Sequence, residues 1–132
     1  RQMPSLDDPV PSNWKVIEDD IIMLWASHVT HAAEFTYNSP PSRLGSGVFQ
    51  IMLIHGKHVG RLAIISILLG IDSGSHVAHK YVKFIECFAY RLEPLEPGSY
   101  NDLDGEVIEN GQIQAEMMPG ALKVFGRASA QV

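Results

Sequence analysis

The chain has almost no cysteine, no basic run and no long apolar stretch, and each absence removes a class of protein. Its single cysteine, Cys87, cannot form an internal disulfide, so a reducing, cytosolic setting is expected. Cys87 sits in the apolar run Phe84–Tyr90 and reads as a buried structural thiol, because nothing nearby supplies the electropositive surroundings of a nucleophilic one. The net charge is −5 and the basic residues are scattered, which argues against a nucleic-acid partner. No apolar run approaches the roughly 20 residues that span a bilayer, and the first residues lack the basic-then-apolar pattern of a secretory signal. P-loop, G-x-G-x-x-G and G-x-S-x-G patterns are missing, and Gly45-Ser46-Gly47 is too short to cradle a phosphate. Any ATP site must therefore lie mostly elsewhere. The chain opens on Arg1 and Gln2 instead of an initiator methionine, so a fragment of a longer protein is expected.

What is present suits one globular domain: 132 residues, 45% hydrophobic and 19% charged. Residues 1–12 are rich in Pro, Asp and Ser and read as a linker; residues 13–126 form the domain and 127–132 a tail. Val16–Ile17 and Ile21–Ser27 read as strands around an Asp19-Asp20 turn. A loop runs from Asn38 to Gly47, and Val48–Ile54 is apolar enough for a strand buried on both faces. Between His58 and Asp72 the apolar residues recur at helical spacing, with Gly70 or Gly74 as the stop. Tyr81–Leu92 reads as one long strand closed by Pro94 and Pro97. Asp104-Gly105 and Asn110-Gly111 are tight-turn dipeptides, and short strands fit Gln112–Met117 and Ala121–Phe125 around a Pro119-Gly120 turn. The pattern predicts a mainly β domain with one principal helix, arranged as a two-layer antiparallel β sandwich.

Three features could carry chemistry. Asp104-Gly105-Glu106 places two carboxylates on a tight turn, suited to hydrated magnesium or to orienting a hydroxyl, although Asp-Gly turns also serve as plain hairpins. Asp102 beside it reads as a solvated turn residue. The six histidines fall into three His-x-x-His pairs, 28/31, 55/58 and 76/79. The pairs lie in different elements with no Cys-x-x-Cys, so no metal is expected on them. The helix stripe around Ile64 and Leu68 fits either core or the wall of a hydrophobic pocket.

Read in order, several segments resemble the C-terminal domain of the sphingosine kinases. These are Pro9-Val10-Pro11-Ser12-Asn13-Trp14, His28 with Glu34–Pro40, Arg61–Leu69 followed by Gly74-Ser75-His76, Phe88–Pro94 with its Arg-Leu-Glu-Pro, Leu103-Asp104-Gly105-Glu106, and Ile113–Gly120. They cover nearly all of Pro9–Gly126. The broader diacylglycerol-kinase-like superfamily shares the Asp-Gly-Glu turn but less often the other motifs. Two departures stand out: Leu44-Gly45-Ser46-Gly47 replaces an acidic Asp-Gly loop, and the loop at His55–His58 is one residue longer.

The resemblance implies the lipid-binding half of a two-domain enzyme that phosphorylates the primary hydroxyl of sphingoid bases. ATP and Mg2+ would be held mainly by an N-terminal nucleotide-binding domain, which also carries the aspartate that activates the substrate hydroxyl. The resemblance further implies catalytic roles for Asp104 and Glu106, approach of the nucleotide to Asp104 and Gly105, and contact of the lipid tail with Phe35, Ile64, Leu68 and His76. A cytoplasmic, peripherally membrane-associated enzyme follows, inactive as this piece alone. The alternatives are a ceramide or diacylglycerol kinase, or a non-catalytic β-sandwich module that binds a lipid or partner.

Overall fold

A computed structural model of the chain describes residues 3–125; the expected tail, 127–132, lies outside the described residues. Among the described residues the architecture is mainly antiparallel β with one α-helix, a β-sandwich-like arrangement of open sheets. Strands β1 (Ile21–Ser27), β2 (Phe49–His55) and β3 (Val82–Cys87) form a three-stranded sheet in that order. Strand β4 (Ala89–Leu92) pairs with β7 (Ile113–Glu116), and β5 (Asn101–Leu103) with β6 (Glu106–Ile108).

Strand β2 is the centre of the fold because it is apolar on both faces. Ile51, Met52, Leu53 and Ile54 are all buried, joined in the core by Val48, Ile67 and Ile71. Residues directly opposite share a face, so the register divides the sheet in two. Leu24, Leu53, Ile51 and Ile85 lie on one face, and Trp25, Met52 and Phe84 on the other. The second face carries the helix layer. Helix α1 (Arg61–Leu69) leads into a 3-10 turn, Ser75–Ala78, whose His76 ring stands 6.1 Å from that of Phe84. The helix is apolar around nearly its whole circumference: Ile67 is buried, whereas Leu62, Ile65, Leu68 and Leu69 are exposed.

Three expected strands differ from what forms. Val16–Ile17 is extended chain without a ladder, and Val16 is exposed. Ala121–Phe125 makes no strand either, and Leu122, Val124 and Phe125 are exposed, so nothing in the described residues pairs with it. The run Tyr81–Leu92 is broken at Phe88, where the chain leaves β2 as its partner and takes up β7 instead. The break divides a continuous apolar run between two sheets.

Residues of the expected linker are held down by side chains. Arg91 on β4 donates from Nε to Gln114 Oε1 at 2.8 Å, from Nη1 to the Asp8 carbonyl at 2.7 Å and from Nη2 to the Ser5 carbonyl at 2.8 Å. Gln114 Nε2 donates to the Pro4 carbonyl at 2.7 Å. Further along, Asp19 Oδ2 meets His55 Nδ1 at 2.7 Å and Gly56 N–H donates to the Asp20 carbonyl at 3.0 Å. The segment between these anchors forms one wall of a cleft of about 1180 Å³, whose floor is the first sheet face: Leu24, Ile51, Leu53 and Ile85.

Candidate functional site

Two positions compete for attention, the β5–β6 hairpin and the helix layer. The hairpin turns through Asp104-Gly105 with φ of 52° and 93°, both positive, as a two-residue hairpin of the primed kind requires. Among the described residues Asp104 is the one non-glycine in that region, a conformation aspartate tolerates better than most side chains. Asp104, Gly105 and Glu106 are all exposed, and a Cβ built on Gly105 would meet nothing within 4 Å. The two carboxylates stand at the open end of a projecting ribbon, accessible to a large ligand.

The hairpin is fixed from below and from within. Asn101 is buried, 5% exposed, and its Nδ2 donates to the carbonyls of Glu109 at 3.4 Å and Gly111 at 3.1 Å. Asp102 is more than a solvated turn residue: its Oδ1 accepts the Gly105 N–H at 3.0 Å, closing the turn that presents Asp104. The sequence signal was an aspartate two residues before Asp-Gly, in reach of the turn's own amide.

In the helix layer, His76 is buried at 2% exposure. Its Nε2 lies 3.0 Å from the Asn38 carbonyl and its Nδ1 3.3 Å from that of Gly70. Both ring nitrogens face backbone carbonyls, so the single N–H of a neutral ring is taken up by one of them and the imidazole presents a wall, not a free donor. Two glycines make this placement possible. A Cβ on Gly70 would approach Ser75 Oγ to 2.8 Å, and one on Gly74, at φ +75°, would approach the Tyr37 ring to 2.9 Å. Ile64 on α1 is half-buried in the same layer, whereas Leu68 is exposed on α1 and Phe35 is exposed on the loop after β1. His76 and the helix residues thus share one side of the sheet. None of the four expected tail contacts lines the 1180 Å³ cleft, which opens on the sheet's other face.

At least one member of each histidine pair has a side-chain partner outside the pair. His31 stacks on Tyr37, His55 meets Asp19, and His79 tilts over Tyr81. Among the described residues no three His, Cys, Asp or Glu side chains are grouped to hold a metal ion. Cys87 is half-buried, and burial, with a smaller push from Glu86, raises its thiol above the usual range, which disfavours the thiolate. Among the described residues no helix is long and apolar enough to cross a membrane.

No protein-family model matches the chain. It is nevertheless similar to sphingosine kinases over most of its length. It is 29% identical over 120 residues to sphingosine kinase 2 of Homo sapiens, covering 89% of this chain and 18% of that one. It is 26% identical over 117 residues to sphingosine kinase 1 of Homo sapiens, covering 86% of this chain and 30% of that one. Sphingosine kinase 1 of Caenorhabditis elegans is 30% identical over 111 residues, covering 83% of this chain and 24% of its own length. The chain spans less than a third of the length of these curated relatives. The similarity to sphingosine kinases therefore extends over more than four-fifths of the chain, well beyond the ordered motifs taken singly.

Proposed function

We propose that this chain is the lipid-side domain of a sphingosine kinase, in which the γ-phosphoryl group of ATP is transferred to the primary hydroxyl of a sphingoid base. The observation that carries the reading is the similarity to sphingosine kinases over more than four-fifths of the chain. Such transfers rest on positioning and charge neutralisation more than on covalent chemistry by the protein. ATP and Mg2+ are held mainly by a nucleotide-binding domain of the same protein, which docks against this one. A carboxylate oxygen is the kind of ligand magnesium takes, and Asp104 would supplement an ion held mainly by the nucleotide-binding domain. Asp104 faces the magnesium–phosphate side, Gly105 leaves room for close approach, and Glu106 orients the substrate hydroxyl. The alkyl tail lies against Phe35, Ile64, Leu68 and His76, each buried methylene contributing about 0.8 kcal/mol. The enzyme works in the cytoplasm as a peripheral membrane protein, collecting its lipid from the bilayer surface.

The test is an assay of the full-length protein with ATP and sphingosine, alongside ceramide and diacylglycerol. Phosphorylation of sphingosine is expected. Preference for another lipid would move the chain to a sister kinase, and no transfer to any of them would leave a non-catalytic binding module. Asp104→Asn and Glu106→Gln are each expected to lower kcat by about 10²-fold. Asparagine suits the left-handed position of residue 104, so the turn survives the first change and only the charge is removed.

A further inference from the structure

We propose that Asp102 is a positioning residue for the Asp104–Glu106 turn, acting through the Gly105 amide; the inference rests on the function proposed above. The geometry is specific. Asp102 is paired with Val107 across the β5–β6 ladder, so its backbone is fixed by the sheet while its side chain reaches forward over the turn. Oδ1 accepts the Gly105 N–H at 3.0 Å, the amide that immediately follows Asp104. A hydrogen bond there fixes the peptide between Asp104 and Gly105. The direction in which the Asp104 carboxylate leaves the backbone depends on that peptide.

The turn needs the help. Asp104 sits at φ 52° without glycine's freedom, and a short, exposed two-stranded ribbon is marginal by itself. Asn101 supplies the other fixed point, its buried amide tying the base of the ribbon to the carbonyls of Glu109 and Gly111. Base and tip are thus held by consecutive residues, Asn101 and Asp102. A carboxylate that must meet a reacting centre within a fraction of an ångström gains from such support even when the supporting group never touches substrate.

The role predicts a hydrogen-bond acceptor, not a charge. In the full-length enzyme Asp102→Ala is expected to lower kcat about 5- to 10-fold with the KM for sphingosine unchanged, and to speed hydrogen exchange at the Gly105 amide. Asp102→Asn keeps the acceptor oxygen and is expected to stay within about twofold of wild type in both readouts. With Asp104→Asn already present, Asp102→Ala should cost little more, because both changes act on one group. An Asp102→Asn enzyme as impaired as Asp102→Ala would overturn the positioning role in favour of charge. Wild-type kcat in Asp102→Ala would also overturn it, provided that Asp104→Asn is impaired. If Asp104→Asn itself retains full turnover, it is the catalytic reading of the turn that fails, whatever Asp102 does.

Discussion

The sheet that holds the helix and the ribbons that follow it are built on opposite principles. Strand β2 is apolar on both faces and buries five consecutive residues, Gln50 and Ile51–Ile54. The β5–β6 ribbon buries only Asn101, and its remaining residues are exposed. Cohesion in the first region comes from burial, which scales with apolar area and needs no precise geometry. In the second it comes from ladder pairing and a few side-chain hydrogen bonds, which fix direction more than they stabilise. The proposed tail contacts at Ile64, Leu68 and His76 belong to the first construction, and the proposed carboxylates at Asp104 and Glu106 to the second.

The sharpest way to break this contrast is to truncate one aliphatic side chain to alanine in each region. Ile54→Ala, at a position with 0% exposure, is expected to destabilise the protein by about 2–5 kcal/mol in denaturant unfolding. Val107→Ala on β6, where the side chain is 72% exposed, should change stability by less than about 0.5 kcal/mol. Comparable losses at the two sites would mean that the ribbon is part of the core after all.

A second comparison tests where the proposed lipid tail would lie, because the sheet has an apolar layer on each face. Leu68→Trp on the helix is expected to raise the KM for sphingosine about 10-fold or more if the tail runs through the helix layer. Leu24→Trp, which intrudes into the cleft on the opposite face, should then leave KM within about twofold. The reverse outcome would move the tail to the cleft and away from Phe35, Ile64, Leu68 and His76.

The two regions also differ in how much of them could be read from residues alone. The expected helix span His58–Asp72 encloses the observed Arg61–Leu69, and Gly70 is its stop as expected, although the helix is apolar nearly all round and carries little periodicity of its own. Strand β2 was legible within one residue at each end, since a short apolar run between turn signals has few alternatives. The break at Phe88 was not, because the exchange of β2 for β7 is a tertiary event with no local punctuation. Nor were the anchors of the amino-terminal segment: Arg91 reaches residues 83 and 86 positions away, and His55 one 36 positions away. At the candidate site the residue types of the acidic turn were legible and its support was not. Asp102 and Glu106 look alike in sequence, and only the amide of Gly105 separates them.

The smallest effect concerns the latch between Asp19 and His55, which ties the cleft's amino-terminal wall to the end of β2. The hydrogen bond from His55 is the main influence holding the Asp19 carboxyl below its ordinary value of 3.8, followed by the N–H of Asp20; burial opposes them weakly. A carboxyl whose folded-state pKa is depressed contributes stability that is fully present above the unfolded value and is lost as pH falls through the folded one. Asp19→Asn should therefore be slightly less stable than wild type at roughly pH 5, with the gap closing as the solution is acidified below 3.8. The latch is at the surface, so added salt should also narrow the gap at the higher pH. Paired acid titrations followed by tryptophan fluorescence would measure it, since Trp14 lines the same wall and Trp25 lies on β1. A gap that stays constant to low pH would mean that Asp19 acts through packing of its segment and not through its charge.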